Sequence, residues 1–160
     1  MIVVSDLFWG VLLDNFAWPR SRLERVAYID GVAASDDLSV ATTLVFPNAK
    51  LYERHFEVSA EAMSQAGRHF RAYHLQRVAQ VHTHPGDWVD HSQYDDEMAY
   101  SQHLGAVSIV MPNHARSRPA LSNCGVHVRE EQGWRMLAQS EISSYISLVP
   151  GLLDFRRKDS

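Results

Sequence analysis

A chain of 160 residues, 46% hydrophobic and 21% charged, is long enough for one sizeable core and too apolar for a disordered tract, so a single domain over 1–160, with its core at about 20–140, is expected. Fifteen basic against nineteen acidic side chains leave a formal net charge of -4, and the basic residues fall only in short clusters (Arg20, Arg22 and Arg25; Arg156, Arg157 and Lys158), which argues against nucleic acid as a partner. No apolar run approaches the roughly 20 residues that span a bilayer, and the single Cys124 forms no intrachain disulfide, so a cytoplasmic protein with no membrane partner is expected.

Met1 to Asp14 reads as a strand or short helix packed on the core. It does not read as a signal peptide: it lacks a basic start, Asp6 and Asp14 interrupt it, and no small-residue cleavage site follows. Trp18-Pro19 marks a turn, Leu23 to Val32 a strand, Ser35-Asp36-Asp37 a second turn, and Ser39 to Phe46 a β-branched strand broken by Pro47-Asn48. Ser59 caps a helix predicted to run to about His74, with Ala62, Met63, Ala66, Phe70 and Tyr73 as its apolar stripe. Arg77 to His82 is predicted as a strand and Pro85 to His91 as a loop. A helix is then predicted from Ser92 through Leu104, ended by Gly105. Ala106 to Met111 follows as a buried strand, and Pro112 to Asn123 as a polar loop. Gly125 to Arg129 and Trp134 to Leu137 make a hairpin turned at Gln132-Gly133. Ser140 to Leu148 is predicted as a closing helix stopped by Pro150-Gly151, with a frayed tail beyond. Strands interleaved with two main helices predict an α/β fold whose mixed β-sheet is flanked by helices.

The chemistry concentrates in His82-Thr83-His84-Pro85-Gly86-Asp87-Trp88-Val89-Asp90-His91-Ser92-Gln93-Tyr94-Asp95. Side chains alternate along a strand, so His82 and His84 share one face and two imidazoles can grip one divalent ion. A third ligand must come from elsewhere, and Asp95 is placed to supply it, with His91, Asp87, Asp90 and Asp96 as rivals. Three protein ligands and one water make a catalytic zinc site, whereas four protein ligands close a structural one. Ser92 to Asp95 also has the pattern of a helix capping box, which fixes a helix start from which a carboxylate can project. Cys124 has no paired histidine motif, and neither a phosphate-binding glycine loop nor a serine nucleophile elbow occurs.

His82, His84, Pro85, Ser92 and Asp95 fill every fixed position of H-x-H-P followed by S-x-x-D, so the chain resembles the JAMM metallopeptidases of the MPN (JAB) family over about residues 20–115. The family's upstream element, E-x-x-G-x-x-x-G, is matched in part by Glu24 to Gly31: Ala27 replaces the inner glycine, and Asp30 stands at a usually apolar position. The resemblance implies an MPN-type domain with cytidine-deaminase-like layering, one Zn²⁺ per chain on His82, His84 and Asp95, Glu24 as general acid/base, and Ser92 as donor to the oxyanion. It implies a zinc-dependent isopeptidase or endopeptidase cutting after the C-terminal glycine of a ubiquitin-like protein. Compact bacterial members of this kind are associated with ubiquitin-like conjugation, sulfur-carrier or antiphage pathways. Ala49 to Phe56 and Pro112 to Asn123 are candidate flanks of the substrate groove, and Trp88 a candidate wall. Two alternatives are a non-catalytic MPN scaffold, which usually lacks ligands that this chain keeps, and a metal hydrolase of a small amide, peptidoglycan fragment or sulfur-carrier precursor.

Overall fold

The computed structural model describes residues 1–17 and 22–155. The turn expected at Trp18-Pro19, Arg20 of the first basic cluster, and the tail Arg156 to Lys158 lie outside them. The opening segment is both of the alternatives expected for it: a strand, β1 (Ile2–Ser5), runs straight into a helix, α1 (Asp6–Ala17). β2 (Val26–Ser35) and β3 (Leu38–Val45) form an antiparallel pair joined at the Asp36-Asp37 turn, with β2 starting later than Leu23. β4 (Ala49–Leu51) and β5 (Phe56–Val58) make a small separate hairpin.

α2 (Ala60–Tyr73) is close to its predicted bounds because both ends are capped: Ser59 Oγ accepts the Ala62 N–H at 3.1 Å, and His74 closes the helix in the left-handed conformation, its N–H on the Phe70 carbonyl. Of its expected stripe, Ala62 and Ala66 are buried while Tyr73 is exposed. β6 (Gln76–Thr83) carries the first candidate ligand, and α3 (Gln93–Met98), β7 (Val107–Met111), β8 (Gly125–Glu130) and β9 (Gly133–Met136) follow.

Two expectations are corrected. α3 stops at Met98 rather than Leu104, because Ala99 turns to extended backbone (ψ 142). There Tyr100 N–H bonds the Gln80 side chain at 3.2 Å, and the Tyr100 ring packs on Tyr28. The closing segment is helical only as α4 (Gln139–Tyr145). It ends in a strand, β10 (Ile146–Val149), which pairs in parallel with β1, Ile2 opposite Ile146. Paired with β1, the backbone groups of β10 find partners in the sheet.

Eight of the ten strands described form one mixed sheet in the order β10-β1-β3-β2-β6-β7-β8-β9. Strand alternation divides its residues between two faces. Ala27, Ile29, Ala79, Val81 and Ile109 pack in the main core with Trp9, Leu12, Leu13 and Phe16 of α1 and Ile142 of α4. Burial of each large side chain there contributes about 1.5–3 kcal/mol. Val26 and Tyr28 point the other way, into a smaller cluster with Phe56, flanked by the β4–β5 hairpin and Met63 of α2. On that second face a polar row crosses the central strands: Tyr28 is opposite Gln80, Gln80 beside Ser108, and Ser108 opposite His127.

β2 is bulged between Asp30 and Gly31, where a Cβ on Gly31 would lie 2.2 Å from the Val40 carbonyl oxygen. Asp30 is fully buried, and Arg77 Nε donates to its Oδ1 at 3.0 Å. The Arg77 guanidinium lies 3.7 Å from the Tyr28 ring centroid. A buried ion pair with Arg77 thus accounts for Asp30 at a position that is usually apolar in the family the sequence resembles. No helix among the described residues is long and apolar enough to cross a membrane.

Candidate metal centre

The second face of the sheet carries the site at the C-terminal end of β6. Val26 pairs with His82 and Ala27 with Val81; Thr83 N–H bonds the Arg25 carbonyl at 3.0 Å in the same register. Carried one residue further, that register sets Glu24 level with His84. Alternation then turns Glu24, Val26, His82 and His84 to one side.

His82, His84 and Asp95 are all buried, and their ligand atoms lie within 4.8 Å of one another, the one such cluster of three among the described residues. The two Nε2 atoms are 3.3 Å apart; His82 Nε2 is 3.3 Å from Asp95 Oδ1 and His84 Nε2 is 3.3 Å from Asp95 Oδ2. Bonds of about 2.0–2.1 Å at tetrahedral angles separate neighbouring ligand atoms by about 3.3–3.4 Å. The two imidazole nitrogens have that spacing, and the carboxylate presents one oxygen to each of them, so the cluster is compact enough to close on one cation.

Each ligand is held by the chain around it. His84 Nδ1 donates to the Trp88 carbonyl at 3.1 Å, which leaves the Nε2 lone pair facing the centre. The Trp88 indole stacks on the same imidazole, centroids 5.2 Å apart and planes at 18°. Asp95 is fixed by the capping box expected from the sequence: its Oδ2 accepts the Ser92 N–H at 2.7 Å and the Ser92 hydroxyl at 2.6 Å, while Ser92 Oγ accepts the Asp95 N–H at 3.2 Å. His82 has no such brace: its Nδ1 is buried without a partner, and its ring packs against Phe56.

The electrostatics follow from burial and these contacts. Burial alone would raise the Asp95 carboxyl, but His82, His84 and Ser92 hold it well below the usual range. Burial lowers His82, keeping it neutral and able to ligate. Burial would also lower His84, but Asp95, Glu24 and the Trp88 carbonyl together raise it. Glu24 is 2% exposed, its Oε2 has no hydrogen-bond partner, and burial pushes its pKa up to about 8, with His84 pulling it down and Asp95 pushing it further up. It is a buried acid with no ion pair, facing a cleft. That cleft, 360 Å³, is walled by Glu24, Arg54, His84, Pro85, Trp88 and Ser92. A larger cavity of 710 Å³ lies at the opposite end of β6, beside Gln76, Tyr100 and His103, and contains none of these side chains.

The rival ligands are engaged elsewhere. His91 Nδ1 pairs with Asp96 at 2.8 Å and its Nε2 meets Ser108 Oγ at 3.0 Å; Asp90 pairs with His127 at 2.9 Å, and Asp87 accepts from the Asn113 side chain. Two features of the site had no named place in the sequence reading. Arg54, from the hairpin region expected to flank the groove, lines the cleft, and the Tyr52 carbonyl beside it accepts the Glu24 N–H at 2.7 Å. Asn113, His114 and Ala115 form a left-handed turn with φ of 53°, 53° and 57°. Each such non-glycine residue costs about 1–2 kcal/mol. In that conformation Asn113 N–H reaches the Gly86 carbonyl at 2.9 Å and His114 N–H the His84 carbonyl at 2.8 Å, so the strained turn clamps the ligand loop. The only signal for it in the sequence is Asn113-His114, two residue types enriched at positive φ.

No protein-family model matches the chain, and no curated protein sequence matches it. Among solved structures, a protein from Desulfitobacterium hafniense is similar at a TM-score of 0.71 and 16% identity, covering 95% of each chain. A protein from Salinibacter ruber is similar at a TM-score of 0.54 and 15% identity, over 86% of this chain and 89% of that one. At these identities the likeness is one of fold: a mixed α/β domain with helices on its sheet.

Proposed function

We propose that the chain is a zinc metallopeptidase of the JAMM type, with an MPN-like domain, that hydrolyses the amide bond after the C-terminal glycine of a ubiquitin-like protein. The observation that carries this reading is the compact buried His82–His84–Asp95 cluster, set beside a buried Glu24 whose Oε2 has no hydrogen-bond partner. Two imidazoles and one carboxylate suit zinc and leave a fourth position for water or substrate. Zinc bound there supplies Lewis acidity toward the scissile carbonyl and lowers the pKa of water to near neutrality.

The protein's own groups do the rest. Glu24 takes a proton from the attacking water and returns it to the departing nitrogen, so that hydroxyl ends on the carbonyl carbon and hydrogen on the amine. Burial raises its pKa to about 8 without a cation; a dication on the neighbouring ligands would draw that value down and leave the carboxylate to accept the proton. Ser92 lines the same cleft; its hydroxyl donates to Asp95 Oδ2 in the resting site, and on rotating from Asp95 toward the substrate it donates to the oxygen on which charge develops. Trp88 and Pro85 wall the cleft against water.

The test is zinc content together with cleavage. The protein is expected to bind one zinc per chain and to release the C-terminal extension of a ubiquitin-like fusion, with both lost in Asp95→Ala. Zinc binding with no cleavage of any ubiquitin-like or short peptide substrate would leave the scaffold alternative in its place.

A further inference from the structure

Beside the metal cleft lies a second pocket of 330 Å³, and the two share Arg54 and Pro85. Its remaining walls are Arg22, Glu53, His114 and Arg116. Three guanidinium groups thus meet one carboxylate, on a chain whose formal net charge is -4. Neither Arg22 nor Arg54 makes an ion pair or hydrogen bond among the described residues. His114 is 6% exposed, and burial keeps its ring neutral in spite of a hydrogen bond to Leu23. Its Nδ1 is buried with no partner, so the ring contributes bulk and no charge to the pocket.

The position of this pocket relative to Glu24 gives it a direction. Glu24 follows Arg22 by two residues, and its N–H is bonded to Tyr52 in the same hairpin as Glu53 and Arg54. Ser92 and Trp88 wall the metal cleft but not the second pocket. Glu24 also walls only the metal cleft, but two residues of chain tie it to Arg22 and its N–H ties it to the segment of Glu53 and Arg54, links that Ser92 at the start of α3 lacks. The group that hands a proton to the departing nitrogen is thus the one joined to the basic pocket.

We infer that the second pocket receives the departing amine and selects one that carries a carboxylate: an amino acid or peptide whose free α-carboxylate or acidic side chain sits just beyond the scissile bond. This rests on the amide-hydrolysis reading above and names its leaving group. Guanidinium forks hold carboxylates in a bidentate grip. Because these arginines are solvent-exposed, the preference is modest, about 2- to 5-fold per engaged carboxylate.

The experiment has two arms. In the first, the zinc-loaded full chain is given peptides with one acyl part ending in Gly-Gly, followed by Glu, Gln or Lys, each as free acid and as amide. The free-acid Glu peptide is expected to be cleaved with a kcat/KM about 10-fold above the Gln amide, with the Lys amide slowest. Arg22→Glu should collapse or invert that order. In the second arm the metal-free protein is titrated with L-glutamate, L-glutamine and L-lysine while arginine Nε–H and His114 ring signals are followed by NMR. Cleavage with the expected preference, removed by Arg22→Glu, supports the assignment. Cleavage of all the peptides at equal rates overturns it and leaves the hydrolase standing. If no peptide is cleaved, the hydrolase reading falls. Glutamate-selective shifts at Arg22, Arg54 and His114 then support the carboxylate site by themselves, and their absence overturns that as well.

Discussion

Glu24, two residues before β2, falls level with His84, one residue after β6, when the register that sets Val26 opposite His82 is carried past the strand ends. An acid sealed there, with Oε2 unpartnered and its pKa near 8, is a cost to the fold. Between its ordinary value of 4.5 and about 8, the folded state holds a proton that the unfolded state has released. Stability contributed by Glu24 is therefore full below pH 4.5 and drains away as pH rises toward 8, by a total on the order of 4 kcal/mol. Asp30 is also raised by burial and tilts the curve of any variant alike. Metal-free Glu24→Gln is expected to match the parent in urea unfolding at pH 5 and to exceed it increasingly up to pH 8, while the zinc-loaded variant loses amide hydrolysis. Equal stability curves for the two proteins from pH 5 to 8 would show Glu24 ionised and solvated in the folded state.

Ser92 donates to the very carboxylate oxygen that faces His84, so its substitution has two separable effects. As a helix cap, its loss in Ser92→Ala costs about 1 kcal/mol of stability and loosens Asp95. As an oxyanion donor, its loss costs about 100-fold or more in kcat. We expect Ser92→Ala to retain one zinc at saturating metal and to show the kcat loss there. A variant that lost only zinc affinity, with kcat restored at saturating zinc, would confine Ser92 to capping.

Gly125 carries no chemistry, yet a Cβ there would lie 1.9 Å from the Val89 carbonyl oxygen. Val89 adjoins Trp88, whose carbonyl fixes the His84 tautomer. Gly125→Ala is expected to push the ligand loop outward and to weaken zinc binding about 10- to 100-fold, the usual size for a lost outer partner. Competition with a zinc-chelating dye measures this, with circular dichroism to establish that the fold persists.

Arg77 and Asp30 are a buried pair whose members fail separately. Arg77→Met leaves the Asp30 carboxylate without its donor and is expected to cost about 3–5 kcal/mol, while the double variant Asp30→Leu/Arg77→Met recovers most of that loss. Chemical unfolding of the three proteins in parallel gives the coupling directly.

How far the sequence foretold this molecule depends on how local each feature is. Ser59 and His74 bound α2 because capping is decided within a few residues, and the Ser92–Asp95 box was legible for the same reason. His82 and His84 share a face by strand alternation, which needs no partner strand. The end of α3 at Met98 was hidden, because it is set by Gln80 and Tyr28, far away in the chain. β10 was hidden because it exists only against β1. Asp30 was noted as an oddity, but its partner Arg77 is on another strand and comes near only through the bulged register of β2 and β6. The basic pocket joins residues 22, 53–54, 85 and 114–116, which no short window of sequence unites.

The two faces of the sheet divide the labour of this molecule. Ala27, Ile29, Ala79 and Val81 secure α1 and α4, and none of them touches the cation cluster or its cleft. Every group assigned to chemistry springs from the reverse side, where the apolar patch is small and much of the interior is polar. The core that sets the shape supplies none of the ligands, so loss of a single ligand is expected to cost the cation before it costs the fold. Inert copies that persist as binding partners are a natural outcome of such a layout, and a missing histidine in one of them would speak about its activity and not about its architecture.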